Sequence, residues 1–73
     1  MAKNGKNAVY RVTEVIGTSP KSWEDAARSA VETASKSLRD LRIAEVTKLD
    51  VKVENGKVTQ FRTRLSLSFK YGT

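Results

Sequence analysis

The sequence Glu54-Asn55-Gly56-Lys57 stands between two runs of alternating side chains and constrains the fold more than any other part of the chain. Asn and Gly both tolerate the positive φ angles of a type I′ turn, so this pair predicts a two-residue hairpin loop. The predicted hairpin runs from Arg42 to Tyr71. It therefore takes up about two fifths of a chain of 73 residues.

A two-residue loop also predicts which residues of the two arms lie opposite each other. The predicted pairs are Ile43 with Ser68, Glu45 with Ser66, Val46 with Leu65, Leu49 with Arg62, and Asp50 with Phe61. The second arm alternates between apolar and polar side chains, which indicates one covered face and one polar, basic face. The covered set is Phe61, Leu65, Leu67, Phe69 and Tyr71, and the polar set is Gln60, Arg62, Arg64, Ser66 and Ser68.

The preceding residues predict a strand followed by a helix. Residues 8–16 are rich in β-branched side chains and end before Gly17, which favours a strand. The helix begins with Ser22 as its cap and Asp25 three residues on, or with Ser19 as its cap and Pro20 in the first turn. Its apolar residues recur at helical spacing: they are Trp23, Ala26, Ala27, Ala30, Val31, Ala34, Leu38 and Leu41. The sequence predicts an α+β fold, β-α-β-β, with a three-stranded antiparallel sheet that partly wraps one helix.

Composition limits the chemistry of this chain. We expect a flexible basic tail over residues 1–7 and a single domain over residues 8–73. The absence of cysteine and histidine excludes disulfides, thiolate or histidine metal sites and serine–histidine catalysis, so we do not expect an enzyme. No apolar run reaches the roughly 18–20 residues of a membrane span. With the lack of cysteine, this favours a cytoplasmic location.

Element lengths predict self-assembly. A helix of about 17–19 residues spans roughly 25–28 Å, whereas hairpin arms of about 11–14 residues extend some 36–46 Å. One helix cannot cover such a sheet, so we expect sister copies to cover the remainder. The net charge of +6 and pI near 10 also permit anionic partners, nucleic acid among them. The polar hairpin face lacks aromatic side chains on which bases stack, which weakens the nucleic-acid hypothesis.

Several stretches, in this order and spacing, resemble the dodecin family over roughly residues 9–71. They are Tyr10–Ser19, Leu38-Arg39-Asp40-Leu41, Ala44-Glu45-Val46, Glu54-Asn55-Gly56 and Leu65-Ser66-Leu67-Ser68-Phe69. The resemblance implies a hollow homododecamer of β-α-β-β subunits. It also implies binding of flavin (riboflavin or FMN) as stacked pairs between symmetry-related tryptophans, for storage or sequestration.

Two positions depart from the family's flavin pattern. Ile43 stands where the stacking tryptophan is found, and Arg62 stands where a glutamine bonds the flavin's pyrimidine edge. Ile43 and Arg62 are about six residues, roughly 20 Å, apart along the strand, so a shared ligand would need two subunits. The predicted cofactor-binding residues are Ile43, Arg62, Arg42 and Lys48, with weakened flavin binding.

Other interpretations of the same residues stay open. Ile43 also suits packing between subunits, Arg62 also suits an ion pair with Glu45 or Asp50 between subunits, and Trp23 suits the core. The alternative ligand is calcium, because some dodecin-like proteins hold calcium rather than flavin. Carboxylates such as Asp50, Glu54 and Glu45 supply the oxygens that calcium prefers, but they lack EF-hand spacing and would have to come from several subunits.

Overall fold

The computed structural model describes residues 7–70 and confirms the β-α-β-β order. The elements are β1 (Tyr10–Ser19), α1 (Trp23–Ser35), β2 (Leu41–Glu54) and β3 (Lys57–Lys70). The strands form one antiparallel sheet in the order β1-β3-β2, so β3 is central and pairs on both sides. Apart from Asn7, the predicted basic tail lies outside the described residues, as does Tyr71.

The hairpin turn has the predicted geometry. Asn55 and Gly56 have φ angles of 53° and 75°, both in the left-handed region that a type I′ turn requires. Lys57 pairs with Glu54 directly across the turn. The local chemistry of two residues thus sets the start of the register between β2 and β3.

The core lies between α1 and the sheet. Leu65 and Leu67 of β3 are at most 1% exposed, and Ala26 of α1 is fully buried. We call this side of the sheet the helix-side face; in β3 it carries Phe61, Thr63, Leu65, Leu67 and Phe69. The opposite side, the distal face, carries Gln60, Arg62, Arg64, Ser66 and Ser68 of β3, as the alternation predicts.

The start of α1 is held by a small network of hydroxyl and carboxylate groups. Ser22 is the N-cap, because its hydroxyl oxygen accepts a hydrogen bond from the Asp25 amide at 3.0 Å. The Ser19 hydroxyl, at the end of β1, donates to Asp25 Oδ2 at 2.7 Å. Of the two predicted caps, Ser22 is therefore correct, and Ser19 fastens the helix start to the sheet.

The end of α1 differs from the prediction, because the helix stops at Ser35 and does not continue to Leu41. The amides of Ser37 and Leu38 both donate to the Ala34 carbonyl, at 3.1 and 2.8 Å, which closes the helix in a turn. Serine hydroxyls compete for such carbonyls, as that of Ser37 does here at 3.4 Å. Leu41 instead starts β2 and pairs with Phe69.

The shorter helix leaves much of the sheet uncovered. Its 13 residues span about 20 Å, whereas the described chain is 59 Å long. Val46 and Leu49 of β2 are 49% and 52% exposed on the helix-side face, beside Trp23. With Ala27 and Thr63 they line an open, mainly apolar hollow of about 270 Å³. Within residues 7–70, no helix is long and apolar enough to cross a bilayer.

Gly17 permits the close approach of α1 to β1. A Cβ atom at this position would stand 2.1 Å from the Ala26 carbonyl oxygen and 2.9 Å from the Ala30 Cβ. Because the first neighbour is backbone, it moves only if the helix moves. The absence of a side chain at Gly17 therefore sets the distance between the helix and the sheet.

We expect Gly17→Ala to lower the free energy of unfolding by about 1–3 kcal/mol, the usual cost of overpacking. Thermal unfolding followed by circular dichroism measures this as a lower midpoint. Thr18→Ala, one residue on at an exposed position, is the control and should leave the midpoint nearly unchanged. An unchanged midpoint for Gly17→Ala would contradict the contact described above.

Candidate functional site

The distal face contains three of the four predicted ligand-binding residues, Ile43, Lys48 and Arg62, whereas Arg42 lies at a register shift between Leu41 and Ile43 and has no partner in β3. The arrangement of this face depends on the register of β2 against β3. The predicted pairs of Ile43 with Ser68, Glu45 with Ser66 and Val46 with Leu65 are confirmed. The predicted pairs of Leu49 with Arg62 and Asp50 with Phe61 are wrong, because the register shifts between Val53 and Lys52, where Thr59 is the extra residue of β3, and returns between Lys48 and Val46. The observed pairs between the two shifts include Lys48 with Arg64, Leu49 with Thr63, Asp50 with Arg62, and Val51 with Phe61.

The register shift between Lys48 and Val46 is a β-bulge in which Thr47 is the extra residue. Its hydroxyl donates to the Arg64 carbonyl at 3.2 Å and so fastens the bulge to β3. A bulge reverses the alternation of the residues that follow it. It keeps Leu49 on the helix-side face and places Lys48 and Asp50 on the distal face. In a continuous register, Leu49 would lie on the distal face, and Lys48 and Asp50 on the helix-side face.

Side chains of the three strands form rows across the distal face. From β1 through β3 to β2, the rows are Val12–Ser68–Ile43, Glu14–Ser66–Glu45, Ile16–Arg64–Lys48 and Thr18–Arg62–Asp50. The first row is apolar at both edges, and the others carry the charges. The distal face therefore has an apolar end and a charged middle.

Arg62 and Asp50 form a two-point ion pair within one chain. Arg62 Nε donates to Asp50 Oδ1 at 2.7 Å, and Nη2 donates to Oδ2 at 3.0 Å. The hydrogen bonding from Arg62 holds the pKa of the Asp50 carboxyl below its ordinary value, and the charges of Arg62 and Arg64 act in the same direction. The same pair raises the pKa of the Arg62 guanidinium. Much of Arg62's donor capacity is thus already used, by a partner in its own chain.

Trp23 links the start of α1 to this ion pair. Its indole Nε1 donates to the Asp50 carbonyl at 3.0 Å, and its ring meets Phe61 edge-on, with centroids 5.1 Å apart. The Thr63 hydroxyl donates to the Trp23 carbonyl at 2.9 Å. The sequence predicted that Trp23 packs in the core, but Trp23 remains 37% exposed. Its bond to Asp50 was not predicted, because that contact depends on the observed register of β2.

The remaining predicted site residues lie in two separate groups. Ile43 is 58% exposed at the apolar end, beside Arg42, whose Nη2 lies 3.7 Å from Asp40 Oδ1. Lys48 lies opposite Arg64 in the charged middle, one row from Arg62. The rows of Ile43 and Arg62 are six residues of β3 apart, roughly 20 Å, so one chain does not bring them together. Among residues 7–70, no three acidic side chains come close enough to hold a metal.

The Asp50–Arg62 pair predicts how the stability of the fold and the charge of Asp50 depend on pH. A carboxyl whose pKa is lower when folded stabilises the fold above its unfolded pKa, and this contribution disappears as the pH falls through the folded value. We expect an NMR titration of Asp50 to give a pKa below the ordinary 3.8. Arg62→Gln should bring it back toward 3.8, whereas Arg28→Gln, on the exposed side of α1, should not. A normal pKa in the wild type would contradict the pairing.

Comparison with known proteins gives the same fold and family. The family model described as Dodecin matches residues 9–72. Calcium dodecin from Mycobacterium tuberculosis is 48% identical over 64 residues, which cover 86% of this chain and 89% of that protein.

Solved structures agree. Dodecin from Streptomyces coelicolor superposes with a TM-score of 0.85 at 43% identity, covering 92% of this chain and 96% of that one. The crystal structure of the calcium dodecin from Mycobacterium tuberculosis, described with a novel calcium-binding site, has a TM-score of 0.79 at 45% identity and covers 89% and 93%. With the fold, the sequence match and the length all in agreement, this chain belongs to the dodecin family.

Proposed function

We propose that this chain forms a homododecameric shell that binds and stores flavin, riboflavin or FMN, in sites between subunits. The observation that carries the proposal is the apolar row of the distal face. Val12 and Ile43 stand on either side of Ser68 and are 61% and 58% exposed. A flat, amphipathic isoalloxazine ring suits such a strip. By its resemblance to the dodecin family, the chain has Ile43 at the position of the residue that stacks on the flavin.

The flavin is held more weakly than by a tryptophan pair. Isoleucine offers burial but no aromatic stacking, which is worth about 0.5–1.5 kcal/mol, or about 2- to 12-fold in affinity, per contact. Arg62 donates two hydrogen bonds to Asp50, so fewer of its donors remain for the flavin carbonyls. Arg42 and Lys48 supply additional positive charge to a flavin edge or phosphate. The role is storage without turnover, since the chain has neither histidine nor cysteine for a nucleophile–base pair.

Calcium binding is the second candidate. It is favoured by the similarity to a protein named calcium dodecin. On the distal face, Glu14 and Glu45 flank Ser66 from opposite sides. Calcium takes about six to eight oxygen ligands, more than two carboxylates offer. Such a site would combine carboxylates of several subunits.

We expect riboflavin fluorescence to be quenched by the wild-type protein at micromolar to millimolar concentrations. Ile43→Trp should tighten binding by about 2- to 12-fold per stacking contact. Val58→Trp is the matched control, because Val58 is similarly exposed (52%) but lies near the hairpin turn, and it should leave the affinity unchanged.

Absence of quenching by both the wild type and Ile43→Trp would contradict flavin binding. In the same samples, calcium titration by calorimetry after EDTA treatment tests the second candidate. Heat of calcium binding without any flavin quenching would favour the calcium shell.

A further inference from the structure

Lys48 and Arg64 lie directly opposite each other on the distal face. Two like charges at facing positions of an antiparallel pair repel and destabilise the sheet. The bulge at Thr47 creates this arrangement, since a continuous register would direct Lys48 to the helix-side face. Bulges are common where a strand re-aims a side chain beside a functional site.

The acidic groups around this pair do not neutralise it. Within residues 7–70, Arg64 makes one ion pair, in which Nη1 lies 3.8 Å from Glu14 Oε1, near the outer limit of such contacts. Lys48 makes none in the same part of the chain. Asp50 is engaged by Arg62 at two points. Glu45 lies one row away, opposite Ser66, and forms no ion pair with Lys48.

An anion placed between the two side chains would convert their repulsion into attraction. Arginine presents a planar set of donors that bonds two oxygens of a phosphate at once, and lysine adds a compact charge. We propose that Lys48 and Arg64 together bind a phosphate group. The proposal goes beyond flavin storage and does not require it, because the phosphate is either free or the terminal group of a nucleotide such as FMN.

Inorganic phosphate is the first probe, with the intact assembled protein. Broadening of the ³¹P NMR signal should saturate with protein concentration. Lys48→Gln should weaken binding at least tenfold, as expected for loss of a charge-assisted hydrogen bond. Lys48→Arg should retain it, and Lys36→Gln, at the exposed end of α1, should behave like the wild type. Solution mass and circular dichroism check that each variant assembles.

A second comparison identifies the source of the phosphate. If it belongs to a flavin nucleotide, Lys48→Gln weakens FMN binding more than it weakens riboflavin binding. If it is free, Lys48→Gln weakens inorganic phosphate binding and changes the affinities for FMN and riboflavin by the same factor. Loss of phosphate binding in Lys48→Gln, with no flavin bound by any variant, supports the phosphate site while contradicting flavin storage.

The inference is overturned if phosphate does not bind the wild type, or binds Lys48→Gln equally well. It is also overturned if the wild type does not bind phosphate and Lys48→Gln breaks up the assembly. That result would mean that Lys48 and Arg64 pair with carboxylates of a sister subunit and not with phosphate.

Discussion

The mismatch between the length of the sheet and the length of its only described helix governs this structure. Strand residues advance about 3.3 Å each and helical residues 1.5 Å, so fourteen residues of β2 extend far beyond thirteen residues of α1. The helix covers β1 and β3 tightly, down to backbone contact at Gly17. It leaves Val46 and Leu49 of β2 half-exposed. A chain of this size has only a small core, so leaving this apolar area in water would cost much of its stability. Contacts with sister copies are the simplest way to bury it.

The bulge at Thr47 connects this core to the ligand chemistry. By reversing the alternation in β2, it supplies Leu49 to the helix-side face and Lys48 and Asp50 to the distal face. Asp50 then meets Arg62 and receives the hydrogen bond from Trp23, so the first turn of the helix and the charged middle of the distal face are joined at one residue. One inserted residue thus serves the packing of one face and the charge pattern of the other.

Local signals in the sequence predicted most of the fold. The Asn55-Gly56 turn, the alternation of β3 and the Ser22 cap depend on residues close together in the chain, and all three are confirmed. The predicted end of the helix was wrong, because Leu38 and Leu41 continue the apolar spacing of the helix. The serine-rich segment before Leu41 nevertheless does not support a helix. Spacing alone does not distinguish a longer helix from a short helix followed by a strand.

The site was less predictable than the fold. The resemblance identified Ile43 and Arg62 as ligand positions, and the alternation of β3 with the pairing of Ile43 and Ser68 placed both on one face. Their separation along β3 follows from the strand repeat. The partner of Arg62 could not be derived, because a bulge leaves no gap in a sequence, and the extra residues Thr59 and Thr47 displace the pairs between them by one residue. The opposition of Lys48 and Arg64 stayed hidden for the same reason. Register errors of this kind alter the chemistry of a site while leaving the topology intact.

The mass of the assembled particle in solution tests the central claim most directly, because an incomplete core must be completed by other copies. Size-exclusion chromatography with light scattering should show one species of twelve times the 8.1 kDa subunit mass at micromolar concentration. A stable, folded monomer at the same concentration would contradict the account, since β2 would then leave its apolar side chains in water without a partner.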